Sequence, residues 1–405
     1  MRGSRAIQRL RWLVAVLTVG AGCFALPAAA QQPHLWRDGG AWVSETSGEL
    51  PLGSSVRIQA ATGSVSVQTG TRGFRYIVRT RVLAPSEQMA RRLFAQLRVL
   101  PGHSAGFSEL RLALNGPQSS LSRLNTEVIL ELPRDLQVLH IDTQSGNIEV
   151  ASSSARLQLT TQGGGILVRD AGRSVNARTF GGDIRVLHAG GDVVAYSGGG
   201  MIQLGEIGGH AEINGLGGNI EINRIGSGYV NSQGGTITVS RSAGDMVIKT
   251  SGGAVRLGEM LGRTFVESAG GNIWLGSARG PVVVNTADGN IELWKLMQSA
   301  RAQSGSGTIT AEFLGGRGVF AESSLRTSSG DVHIYLGGAT PVTVEAQIQG
   351  GRGQGILTDF QELHVSSESN ALVPRAVHAE GFLNGGGPVL NVTATSGQID
   401  IRRAR

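Results

Sequence analysis

Gly181-Gly182-Asp183-Ile184-Arg185-Val186-Leu187-His188-Ala189-Gly190-Gly191-Asp192-Val193-Val194-Ala195-Tyr196-Ser197-Gly198 is one copy of a unit that much of the chain repeats. It divides into two nine-residue halves, each opening on a glycine pair and carrying alternate apolar residues, Ile184 and Val186 in the first and Val193 and Ala195 in the second. Alternation with a period of two marks a strand with one buried face. Glycine at the head of each half supplies the backbone conformations a tight corner needs.

Outward from this unit, the aliphatic residue after the glycine turn recurs at Ile148, Ile166, Ile184, Ile202, Ile220, Ile237, Val255, Ile273, Ile291 and Ile309. The spacing is eighteen residues, except seventeen between Ile220 and Ile237, and the next anchor, Val332, follows after twenty-three. A fixed period of this length is the signature of a solenoid. The expected fold is therefore all-β, a parallel β-helix of 18-residue rungs with a small N-terminal α+β capping region. The general handedness of parallel crossovers favours a right-handed coil. One rung has too few inward side chains to offset the entropy of ordering it, so neighbouring rungs must share their apolar columns and backbone edges.

Two columns are apolar throughout: Val150, Val168, Val186, Leu204, Ile222, Val239, Leu257, Leu275 and Leu293 after the anchors, and Ile141, Leu159, Ala177, Ala195, Ile213, Val230, Ile248, Val266 and Val284 before them. A third inward column, five residues before each anchor, carries Thr143, Thr161, Thr179, Ser197, Ser232, Thr250, Ser268, Thr286, Ser304 and Thr327, with Gly215 as its exception. No base recurs beside it, so it reads as a buried ladder bonding to itself or to the turn backbone. Asn147, Asp183, Asn219, Asn272, Asn290 and Asp331 follow the corner glycines and are residue types that tolerate left-handed corners.

Residues 1–30 read as a secretory signal: Arg2, Arg5, Arg9 and Arg11, an apolar run from Trp12 to Leu26, then Pro27 and Ala28-Ala29-Ala30. The run is short for a membrane span, and no later stretch approaches its length. Residues 31–138 form the capping region, with strand-like runs at Arg75–Leu83, Leu110–Leu114 and Glu127–Leu132. Ser86 precedes a helical stretch that sets Met89, Leu93 and Leu97 on one face. Val65 and Val67 resemble a degenerate half-rung. Residues 139–336 are the solenoid. Residues 337–405 are irregular rungs and a cap, in which Leu390, Val392, Ile399 and Ile401 return to the repeat.

Composition excludes several functions. The four leader arginines account for most of the formal +6, leaving +2 over the rest of the chain, too little for a nucleic-acid binder. The one cysteine, Cys23, lies in the leader run; it is a lipidation candidate, with Gly20 where a bulky aliphatic residue is usual. After cleavage no disulfide or thiolate metal site remains. Gly351-Arg352-Gly353-Gln354-Gly355 lacks the Lys-Ser/Thr of a phosphate loop, and the rungs lack the aspartates of calcium-binding β-rolls. The expectation is no cofactor and no catalytic residue.

Two outward clusters are candidate sites. Asp170, His188 and Glu206 fall at one position on successive rungs, where they could bind a metal; a solvated charge ladder is the plainer reading. Trp274 and Trp294 lie on consecutive rungs with Glu292 between them, and Tyr335 shares the column of Trp294. In a chain poor in aromatics, that patch is suited to stacking on a sugar or meeting a partner protein.

The T-x-x-G-x-I-x-V units, such as Thr179 to Val186 and Thr286 to Leu293, carry a resemblance, with the lead-in Leu132-Pro133 and the closing Asn384-Gly385-Gly386-Gly387-Pro388 through Thr395-Ser396-Gly397-Gln398-Ile399. On these the chain resembles a bacterial family of candidate adhesins built from β-strand repeats, similar to auto-transporter adhesin head domains. The resemblance covers nearly all of the chain after the leader and implies no catalytic residues. The expected function is an exported, non-enzymatic, monomeric scaffold or adhesin-like protein, periplasmic or at the cell surface, presenting its outer faces to a protein or polysaccharide. The alternative is a polysaccharide-binding or polysaccharide-active β-helix, which would need paired carboxylates about 5–10 Å apart beside a groove; no two acids eighteen residues apart in an outward column supply them.

Overall fold

The computed structural model describes residues 33–70, 73–116, 123–315, 320–351, 355–370 and 373–404. The leader at 1–30, Cys23 within it, and Arg352-Gly353-Gln354 lie outside them.

The anchors form one stack of parallel strands, each pairing with its equivalent one rung away: Ile148 with Ile166, then Ile184, Ile202, Ile220, Ile237, Val255, Ile273, Ile291, Ile309 and Val332. This is the front sheet. The other halves make a back sheet, in which Leu159 pairs with Ala177, then Ala195, Ile213, Val230, Ile248, Val266, Val284 and Ala302. Inward side chains of both sheets are almost fully buried and join in one continuous core.

The corner leading from back sheet to front sheet shows why the period holds. Thr161, Thr179, Ser197, Ser304 and Thr327 each donate to a glycine carbonyl of the preceding rung (Gly146, Gly164, Gly182, Gly289 and Gly307) at 2.8–3.0 Å. The same hydroxyls of Thr161, Thr179 and Ser197 accept from the N–H of Gly164, Gly182 and Gly200. Ser232 and Thr286 instead donate within their own corners. At Gly215 the vacancy is filled by the Ile220 side chain, which would stand 3.2 Å from an added Cβ.

The asparagine and aspartate positions do something other than expected. None of the six has a positive φ. Their side-chain oxygens accept from the next rung's backbone: Asn147 from Gly165, Asp183 from Met201, Asn219 from Thr236, Asn272 from Asn290, Asn290 from Thr308 and Asp331 from Gln398, at 2.7–3.0 Å. They satisfy N–H groups that the sheet ladder leaves over at the corner.

The irregular rungs change length at the opposite corner. In the seventeen-residue rung the register slips between Ile207 and His210, where an added Cβ on Gly226 would meet the carbonyls of both Gly208 and Gly209 at 2.6 Å, so one residue stands against two. The twenty-three-residue rung inserts its extra residues between Phe313 and Ser323, and buried Phe320 packs edge-on against Phe313 at 5.3 Å.

Both ends of the solenoid are built out of sequence order. The strands Ser55–Ala60 and Ser64–Thr69 form a rung inserted between the first repeat rung and an outer one made of Phe107–Leu114 and Asn125–Leu132. At the other end Val389–Ser396 and Ile399–Arg403 insert between the rung of Val332 and an outer one made of Val342–Gly351 and Ile356–Thr358. Antiparallel strands continue the sheets beyond: Arg75–Val82, Ala41–Glu49 and His34–Asp38 on one edge, Leu97–Ser104 on another, and Val373–Leu383 with His364–Asn370 at the far end.

The one helix among the described residues, Glu87–Phe94, is capped by the Ser86 hydroxyl, which accepts from the Met89 N–H at 3.3 Å. It is shorter than the pattern suggests and its buried face is Ala90 and Leu93. Met89 is 41% exposed, and Leu97 belongs to the following hairpin strand, whose pairing ends the helix first.

The corner makes two neighbouring glycines unequal. A Cβ on Gly182 would collide with the Gly164 carbonyl, whereas a Cβ on Gly181 meets nothing. Gly182→Ala is expected to lower unfolding free energy by about 2–3 kcal/mol and Gly181→Ala by no more than about 0.5 kcal/mol; urea denaturation of both variants tests this, and equal losses would contradict the corner geometry.

Candidate functional site

Outward residues of the front sheet form files along the solenoid axis, with equivalent positions about 4.8 Å apart. In the file one residue after the anchors, Trp274 stands between Arg256 and Glu292. Its ring lies over Gly276, where an added Cβ would come 2.8 Å from Cη2, and its outer side is open, 41% exposed.

Two residues further along each strand, Trp294 stacks with Tyr335: ring centroids 6.0 Å apart and planes at 25°. The two lie two rungs apart and reach across Glu312 of the rung between them. A bulge sets up the contact. The register shifts between Leu293 and Leu296, Lys295 takes φ 50°, and its N–H donates to the Glu312 carboxylate at 3.2 Å. Such a bulge re-aims the side chain beside it. The structure thus joins Trp294 to Tyr335 and sets Trp274 beside Glu292; among the described residues no ring pair joins Trp274 to either of the other two.

Beyond Tyr335 the surface is charged. Tyr335 pairs in register with Arg402, which holds Asp359 at 2.7 Å, and His333 Nδ1 lies 3.1 Å from Asp400.

In the file four residues after the anchors, His188 Nδ1 lies 2.8 Å from Asp170 Oδ1, and the Ser152 hydroxyl donates to the other Asp170 oxygen at 3.1 Å. Glu206 is the register neighbour of His188, yet its carboxylate lies 3.6 Å from Arg224 on the other side. Arg241 and Arg279 share Glu259 at 3.2 and 3.7 Å. Asp170 and His188 are therefore joined and Glu206 is engaged elsewhere. Among the described residues no group of three His, Cys, Asp or Glu is placed to hold a metal ion.

One constellation was not visible in the sequence. A groove of about 490 Å³ at the C-terminal end is lined by Glu345, Glu362, His364 and Glu380, with Phe382, 70% exposed, at its side. Glu345 and Glu380 are direct cross-strand partners. They are thirty-five residues apart and meet only because an antiparallel hairpin lies on the last rung, a spacing that no rung period signals.

Residues 113–402 match the family model described as Toastrack DUF4097. No curated protein is a match. Among solved structures, the chain is similar to a candidate adhesin from Bacteroides fragilis NCTC 9343, at 11% identity over 89% of this chain and 97% of that one, TM-score 0.18. It is similar to a candidate cell adhesion protein from Clostridium sporogenes ATCC 15579, at 8% identity over 89% and 100%, TM-score 0.18. A third is a candidate lipid-binding protein from Parabacteroides distasonis ATCC 8503, at 10% identity over 90% and 97%, TM-score 0.21. Likeness at this level carries no argument about function.

The Asp170 carboxyl is held below the usual aspartate range, chiefly by the His188 hydrogen bond, with Ser152 adding to it against a partial loss of solvation. Its stabilising contribution is full above the unfolded value of about 3.9 and is lost as pH falls through the lower folded value. His188→Ala should raise the Asp170 midpoint towards about 3.9, read by NMR of the carboxyl carbon; an unmoved midpoint would show that the bond contributes nothing. Both side chains are 53% exposed, so screening should keep the change in stability within about 0.5 kcal/mol.

Proposed function

Since the chain belongs to the Toastrack DUF4097 family, we propose that it is an exported, non-enzymatic interaction module whose front sheet binds an extended partner, with a polysaccharide as the partner chemistry. The observation that carries this reading is the stacked Trp294–Tyr335 pair on an outer face, with Trp274 open to solvent on a neighbouring rung. Aromatic faces bind the apolar faces of sugar rings, and a rigid sheet holds them without an ordering cost at binding. Glu292, Glu312 and Arg256 border the rings with groups able to hydrogen-bond hydroxyls. No helix among the described residues is long and apolar enough to cross a membrane.

A glycan array probed with wild type, Trp274→Ala and Trp294→Ala tests the reading. Loss of one stacking ring is expected to weaken binding roughly tenfold while thermal unfolding stays put, because both rings lie outside the core. Equal binding by all three proteins would eliminate the aromatic patch as the contact. Protease treatment of intact cells addresses location: sensitivity fits a surface protein, and protection fits a periplasmic one and counts against adhesion.

A second reading, polysaccharide cleavage, is favoured by the Glu345–Glu380 pair in its groove. It expects reducing ends to be released from a bound glycan and the release to fall at least about a hundredfold in Glu380→Gln. Binding without release, in wild type and variant alike, would exclude it.

A further inference from the structure

Among the described residues the hydrophobic interior is continuous along the solenoid and breaks at one place. Under the helix Glu87–Phe94, the residues Val82, Ala90, Leu93 and Leu124 form a separate cluster, with Trp42 and Phe94 packed on it. The main core reaches Val78 nearby, and Leu97 and Val99 lean on it from the hairpin after the helix. A cavity of about 260 Å³ touches both clusters.

Its apolar lining includes Leu35, Val78, Phe94, Leu97 and Val99, drawn from the first strand, the sheet beneath the helix, the helix end and the hairpin. Ser44, Thr46 and Thr80 add hydroxyl-bearing side chains to the lining. Among the described residues, Arg91 is the only charged one that lines it. Its side chain is 63% exposed, with Nε and Nη2 lying 2.8 and 2.7 Å from the carboxylate of Glu87, one helical turn back, and Glu87 takes no part in the lining.

Ligand sites have this composition: a concave, mostly apolar wall with a few polar groups. A dry apolar cavity of about 150 Å³ already admits benzene. Here the apolar walls are recessed between a strand layer and a helix, so they suit a single chain entering end-on better than a flat membrane surface. Arg91 is the cation of this lining, and with Nε and Nη2 turned to Glu87 its Nη1 is the nitrogen left to meet a carboxylate.

We propose that this cavity binds one monoacyl carboxylate, its tail between Val78, Phe94, Leu97 and Val99 and its carboxylate against Arg91. The site is separate from the front-sheet aromatics and does not depend on the role given to them.

Calorimetric titration of the full chain with sodium laurate, kept below micelle formation, tests this beside Ala95→Trp and Arg91→Gln. Ala95 lines the cavity, is exposed and follows the helix, so an indole there can occupy the mouth without entering either core. One laurate per chain is expected for wild type. Ala95→Trp should weaken binding at least about tenfold with its thermal transition unmoved. Arg91→Gln should weaken laurate about tenfold and leave neutral 1-dodecanol unaffected, as expected for loss of one charge-assisted contact. No uptake by wild type, equal affinity of wild type and Ala95→Trp, equal affinity of wild type and Arg91→Gln for laurate, or association only with phosphatidylglycerol vesicles would each overturn the proposal.

Discussion

The structure rests on the corner at which a hydroxyl of one rung meets a glycine carbonyl of the rung before it. Thr179 donates to Gly164 and accepts from Gly182, and Ser197 repeats this against Gly182 and Gly200. Beside them Asp183 accepts from the Met201 N–H. An inward hydroxyl, two glycines and an Asn or Asp thus satisfy the groups that sheet pairing leaves unmatched where the chain turns. The glycine carbonyls of Gly164 and Gly182 and the Met201 N–H belong to neighbouring rungs, so the corner fits only if those rungs deliver their residues to the same place. The five-residue step from hydroxyl to anchor never varies from Thr143–Ile148 to Thr327–Val332. The missing residue near Gly226 and the insertion before Ser323 both fall at the other corner, which carries no such hydroxyl ladder.

A stack held by nearest-neighbour contacts frays from its ends, and its last strands expose unpaired edges. Both ends answer in the same way. The rung of Ser55–Ala60 and Ser64–Thr69 comes first in the chain and sits second in the stack; the rung of Val389–Ser396 and Ile399–Arg403 comes last and sits second from the other end. Neither end can peel away in sequence order, because each outermost rung is tied through long chain segments to the rungs inside it. Antiparallel strands then cover most of the outer edges, and the parallel edge that closes the far end of the front sheet is only the three residues Ile356–Thr358.

Period and alternation made the stack legible, because both are direct images of the rung in the chain. Counting from Ile184 to Ile202 to Ile220 is enough to place these residues in one inner file. At the Asn and Asp positions residue type suggests a left-handed backbone, whereas each side chain there bonds to a neighbouring rung from a backbone of negative φ. Rung counting brought Trp294 and Tyr335 into one file, but their contact needs the bulge at Lys295, and nothing in the residue types there announces one. The Glu345–Glu380 pair and the cavity under the helix were out of reach, since both arise where antiparallel strands replace the repeat.

The outer files differ in what their side chains do for the stack. In the file of Asp170 each charge has a partner one rung away: Asp170 is hydrogen-bonded to His188, Glu206 faces Arg224, and Arg241 faces Glu259. Neighbouring rungs are so close that like charges would repel, so alternation is what such a file needs merely to exist. Trp294 and Tyr335 serve no comparable need. To bring them together the backbone takes a left-handed residue at Lys295, a conformation that costs a non-glycine residue about 1 kcal/mol, and interrupts the ladder, with Glu312 capping the exposed N–H. Leu293 and Leu296 on either side remain fully buried, so the distortion changes the outer face and leaves the core as it was. Strain retained where packing does not require it argues from an observed outlier towards function, and on that ground the aromatic pair is favoured over the self-neutralised charges as the surface that meets a partner.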